Sequence, residues 1–260
     1  MAPVLYYPIA GMSFFSSSNP VLKEETFSRH AYLTGESADS RMTVSGTINK
    51  ALILALFVVA TAMVTWMAVA ANQQLAFPLT LAGCLGAIVL SFVIAFKNET
   101  APILAPAHAV LEGLFVGALS QVVNKMYPGI AAQAILITLS IMLTMLGLYR
   151  TGLIRATPMF TKVIVICTVG IGVTYGISLV MSLFGGRMPF IHDATPLGIG
   201  ISLFTTGIAA LNFILDFDMI EKGAESGQPK YMEWYGAFGL MVTLVWLYIE
   251  VLRLLRKLQR

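Results

Sequence analysis

The chain has 260 residues, of which 57% are hydrophobic and 11% charged. Ordinary soluble domains carry about 25% charged residues, so this composition, with a mean hydropathy of +0.81, excludes a large soluble core and indicates a multi-pass membrane protein. The net charge of +3 gives no footing for a nucleic-acid partner, and Cys84 and Cys167, each inside an apolar run, read as small buried hydrophobes rather than a disulfide or a metal site.

Residues 1–46 are mixed and Ser-rich ("SFFSSSNP", "TGESADS") and read as a flexible cytoplasmic arm, with a short interfacial helix around Leu22–Tyr32 as the alternative. No signal peptide is expected, because the first apolar run starts near residue 48. A membrane span needs roughly 20 apolar residues. Seven runs meet this, over about 48–71, 77–96, 102–124, 129–149, 159–184, 195–219 and 232–254. Their short connections leave no room for a second domain, so residues 47–260 are expected to form one all-α bundle. Gly113 and Gly117 on span three are four apart, as are Gly172 and Gly176 on span five. Such spacing lets helix backbones approach closely, and packing is expected at the first pair.

Lys and Arg in the loops set the expected orientation. On the side of the N-terminus fall Lys23, Arg29, Arg41, Lys50, Lys97, Arg150, Arg155, Lys162, Lys222 and Lys230. The other side has Lys125 and Arg187, plus Arg253, Arg256, Lys257 and Arg260 of the tail. The N-terminus is therefore expected in the cytoplasm, and a bacterial inner membrane is the expected setting. The basic tail disagrees with an odd number of crossings, and the expectation is that span seven crosses all the same.

Ionisable groups deep in a bilayer are costly and mark function. Span three holds His108 and Glu112, span six Asp216 and Asp218, span seven Glu250. Glu112 lies about 15 Å into its span, with His108 one turn away on the same face. Asp216 is expected about one turn from the cytoplasmic end of span six, with Asn212 one turn deeper on its face. His108, Glu112, Asn212 and Asp216 thus share a depth, which predicts one polar cluster serving as proton sensor and ion path. The residue of span seven level with it falls near Met241–Thr243, where Thr243 is the polar side chain. Asp218, about 200° round the helix from Asp216, is expected at the interface. Glu250, about 24 Å along span seven, is expected in a solvated pair with Arg253.

These residues resemble a known family. "LDFDMIEKGAESGQPKY" across spans six and seven, with Asp216 and Ile220, is similar to the signature of the transmembrane Bax inhibitor motif family, in its bacterial Bax inhibitor/YccA-like branch. "LEGLFVG" (111–117), "MTVSGTINKALIL" (42–54) and "LYIEVLRLLRKL" (247–258) fit the same branch, and the likeness covers about residues 42–258. The resemblance implies seven helices with the last one central, and a pH-sensitive calcium leak with a stress-protective role. It also implies two aspartates sharing a proton, because like charges in close contact do not both ionise cheaply. Asp216 matches the first aspartate. Ungapped alignment puts the second at Met241–Thr243, whereas local pattern puts it at Glu250 with about nine extra residues. Rebuilding the pair from Asp216 and Glu112 is the third arrangement.

The function expected is a cation leak for calcium or protons, since hard cations take oxygen ligands and no Lys or Arg lies deep in the spans. Asp216 is the expected calcium contact, with no other cofactor, and the lipid bilayer, calcium ions and protons are the expected partners of a monomer. The alternative is a regulator that binds a membrane protease or another membrane partner through the arm. An enzyme is not expected. There is no "GxGD" or "GxSxG" stretch, and the three histidines, His30, His108 and His192, do not cluster with the cysteines.

Overall fold

The computed structural model describes residues 41–186, 188 and 193–259. Residues 1–40 of the arm, including the segment around Leu22–Tyr32, lie outside the described residues, as do His192, Arg187 and Arg260. Seven long helices follow one another: α1 Val44–Ala71, α2 Ala76–Phe96, α3 Ala101–Met126, α4 Ile130–Arg150, α5 Pro158–Leu183, α6 Pro196–Glu225 and α7 Met232–Leu258. All seven are long and apolar enough to cross a membrane. Their lipid-facing surfaces carry large exposed side chains such as Leu56, Phe92, Leu136 and Ile166. The protein is an integral multi-pass membrane protein with an all-α, seven-helix fold. The bundle end where α1 begins is the near end below, and the opposite end is the far end.

Three elements run further than the hydropathy predicts, α7 by four residues to Leu258 and α1 and α6 as follows. Helix α1 starts at Val44, four residues early, because Thr43 caps it by accepting a hydrogen bond from the Gly46 amide at 3.0 Å. Lys50 is therefore a helix residue, not a loop charge. Helix α6 continues through "IEKGAE" to Glu225. There Lys222 pairs with Asp218 one turn back at 2.7 Å, Tyr149 of α4 donates to Glu221, and Gly227 then turns the chain with φ 68°. Asp216 consequently lies nine residues, about 14 Å, before the end of its helix, not one turn.

The last helix is central. Helix α7 packs against α1, α3, α4 and α6, whereas α3 and α6 make no substantial contact with each other. Tyr235, Ala237, Leu247 and Val251 of α7 are buried, as are Ala209 and Phe213 of α6. Helix α7 is continuous over its 27 residues, about 40 Å, so it is long enough to cross a bilayer and does not turn back.

Helix α3 is wedged between α1 and α2 by glycine. A Cβ on Gly113 would lie 2.7 Å from the Val58 carbonyl oxygen of α1, and one on Gly117 would strike the Ala62 carbonyl. From the other side, a Cβ on Gly83 of α2 would lie 2.6 Å from the Phe115 nitrogen. Gly172 and Gly176 have open space instead. Gly117→Ala is therefore expected to destabilise by about 1–3 kcal/mol through overpacking. Gly176→Ala is expected to be tolerated. Thermal unfolding of the two variants in detergent separates them.

Candidate functional site

The seam between α6 and α7 carries one line of polar groups in the bundle interior, and His108 and Glu112 of α3 carry another. On α6, Thr205 and Asp216 are eleven residues apart, which brings them within about 20° of each other round the helix. On α7, Thr243 and Glu250 are seven apart, again within about 20°. The two stripes face each other. Thr205 Oγ1 donates to Glu250 Oε2 at 2.9 Å toward the far end, and the Thr243 side chain lies beside the Asp216 carboxyl toward the near end. Asp216 Oδ2 is buried and accepts no hydrogen bond. A buried acceptor without a partner is costly and unusual in a native fold, so this oxygen is the group on the seam most in need of explanation.

His108 and Glu112 face a different side of α7. The His108 ring meets Phe238 edge-on at 4.9 Å, and Ser120 of α3 bonds Tyr248 at 2.7 Å. Phe238 and Tyr248 each point about 140° away from Thr243. His108 Nε2 bonds Ser91 Oγ of α2 at 2.8 Å. His108 Nδ1 is 3.7 Å from Glu112 Oε2, too long for a hydrogen bond, and that oxygen is buried without a partner.

The predicted single cluster is thus three separate places. His108 and Glu112 come together on α3. Asn212 turns to α5, donating to Thr168 Oγ1 at 2.9 Å and to the Ile208 carbonyl at 2.8 Å. Asp216 faces Thr243. Equal depth did not mean contact, because α7 stands between α3 and α6. No hydrogen bond or ion pair joins Glu112 to Asp216 among the described residues, so the rebuilt carboxylate pair is not assembled. Asp218 is partly exposed and pairs with the exposed Lys222 at 2.7 Å.

Glu250 overturns its expectation. It does pair with Arg253 at 3.2 Å, but it is 0% exposed rather than solvated. Helices α5 and α6 close over it. Tyr175 of α5 donates to both carboxylate oxygens at 2.9 and 3.1 Å, and Trp246 Nε1 to Oε1 at 3.2 Å. Two turns on, Lys257 is buried and donates to the Gly198 carbonyl at 2.8 Å. Trp246, four residues before Glu250, was readable as a same-face neighbour, whereas Tyr175 carried no sequence signal.

Sequence reasoning also missed Glu233, in the first turn of α7. It is 0% exposed and accepts from the Thr43 amide at 2.9 Å and the Thr43 hydroxyl at 2.8 Å. Lys50 bonds its other oxygen, and Lys230 lies 3.5 Å away. Beside it, Met42 donates its amide to the Gln228 carbonyl at 2.6 Å and Arg41 bridges Pro229. The root of the arm is thereby fastened to the α6–α7 loop. The signal available was an acid at a helix N-terminus, where the helix dipole favours one.

Among the described residues no three of His, Cys, Asp and Glu converge as metal ligands. The Asp216 carboxyl has the Thr243 side chain beside it, and among the described residues no ion pair or hydrogen bond joins it to a second acid. No curated protein and no solved structure matches this chain. Residues 19–260 match the model of the family described as Bax inhibitor 1 like, and the chain belongs to that family, among the transmembrane Bax inhibitor motif proteins.

Proposed function

We propose that the protein is a cation leak of the membrane, passing calcium along the α6–α7 seam and gated by protonation of Asp216. Family membership supports a membrane regulator or a channel-like role in general. The observation that favours the channel is the buried, unpartnered Asp216 Oδ2 on a seam that also carries the side-chain oxygens of Thr243, Thr205 and Glu250. An ionised carboxylate there offers a hard cation a ligand, and a protonated one does not. The neighbour of Asp216 on α7 is Thr243 and not a second acid, and the gate proposed works with one carboxylate. His108 and Glu112 form a separate buried site on α3, outside the path proposed here.

The Lys and Arg distribution favours a cytoplasmic near end and, with the bacterial branch of the resemblance, an inner-membrane setting. A stress-protective role and a monomeric state complete the reading. Calcium entry into liposomes carrying the purified protein tests it. Entry is expected, and its rate is expected to change between pH 6 and pH 8. A folded, monodisperse sample that admits no calcium at either pH contradicts the leak. The regulator reading, with the arm as its handle, then takes precedence.

A further inference from the structure

The far end of the seam holds a carboxylate that the proposed gate does not use. Glu250 is fully enclosed; the cation in contact with it is the guanidinium of Arg253, and the buried Lys257, two turns on, also acts on it electrostatically. Arg253 Nη1 lies 3.2 Å from each carboxylate oxygen, bonds the Tyr175 hydroxyl, and the guanidinium sits over the Tyr175 ring at 4.5 Å. Its side chain keeps 22% exposure while that of Glu250 has none, so Arg253 is the group that reaches between the outside of the bundle and the buried acid. Thr205 and Tyr175 supply two further oxygens around the same point. Along α7, Glu250 is about 10 Å beyond Thr243 on the same stripe, so it lies in line with Asp216 rather than off the seam.

We propose that Glu250, Thr205 and Tyr175 form a second cation site at the far mouth of the seam, and that the guanidinium of Arg253 occupies it as a tethered plug. A permeant cation enters by replacing the guanidinium, which swings toward the water. Three hard oxygen donors suit calcium. Arg253 serves as a plug because its charge is permanent and its planar fork fills the carboxylate. The site also explains why a carboxylate with so many donors lies on the seam when an apolar residue would hold the helices together at less cost. This proposal rests on the seam being the path.

Calcium flux into liposomes tests it with Arg253→Gln, the double variant Glu250→Gln/Arg253→Gln and Asp216→Asn beside wild type. Removing the plug is expected to raise flux about fivefold, the factor matching a partly exposed ion pair. The double variant is expected to fall back below Arg253→Gln, because the acid that attracts the cation is gone. A purely structural pair predicts the reverse: the double variant leaks at least as much as the single, and that result overturns the proposal. Unchanged flux in Arg253→Gln, with Asp216→Asn still altering the pH response, overturns the plug and leaves the seam as the path. Absence of flux in all four proteins removes the path and the plug with it. Arg253→Lys keeps the charge without the fork, and is expected to lie between wild type and Arg253→Gln. It decides the matter if the glutamine variant does not fold.

Discussion

Glu233→Ala is expected to cost about 3–5 kcal/mol, the loss typical of breaking a buried ion pair by removing one partner. The carboxylate joins three segments: the cap of α1 through Thr43, the body of α1 through Lys50, and the start of α7 on which it sits. Without it, Lys50 is left with a 17% exposed side chain and no anion, and the Thr43 amide loses its acceptor. The fit is close: a Cβ on Gly46 would collide with the Glu233 carboxylate, so no other residue type is accommodated at that point of α1 without displacement. Glu233→Gln keeps an oxygen for Thr43 but no charge for Lys50, and is expected to lose less. The midpoint of thermal unfolding in detergent ranks the two variants. Equal stability of Glu233→Ala and wild type contradicts the fastening described here.

The architecture was legible where apolar runs decide it. The seven spans lie within a few residues of their predicted limits, because a bilayer demands length and apolarity and little else of a spanning helix. Errors fell where polar side chains extend a helix beyond its apolar stretch. Thr43 starts α1 early and the Asp218–Lys222 pair carries α6 onward, and both are local hydrogen-bonding effects that a hydropathy window averages away.

The site was legible in one dimension only. Spacing along a helix gives depth and relative face, which placed Thr243 level with Asp216 and His108 beside Glu112. It does not say which neighbour stands on that face. Asn212 turned to Thr168 and Glu112 to the far side of α7 from Asp216, because α7 fills the centre. Glu250 was misread for the same reason. Its partner at i+3 was visible, but the tyrosine and threonine that enclose it come from two other helices.

Asp216→Asn is the second change with a large expected effect, this time on function. The amide is nearly the same size and stays neutral at every pH, so the fold should survive while the charge change on the seam is lost. In wild type, burial without a hydrogen-bond partner leaves Asp216 Oδ2 free to respond to protonation and to a cation. The variant has no such response. Its neighbour on the seam, the Thr243 hydroxyl, does not titrate in this range, so it does not restore one.

The most direct measurement is therefore calcium flux into liposomes at pH 6 and pH 8, wild type beside Asp216→Asn, at matched protein content. The rate in wild type is expected to change between the two pH values, and the ratio of the two rates is expected to move to one in the variant. A variant that keeps the full pH dependence of wild type would contradict the assignment of Asp216 as the gate.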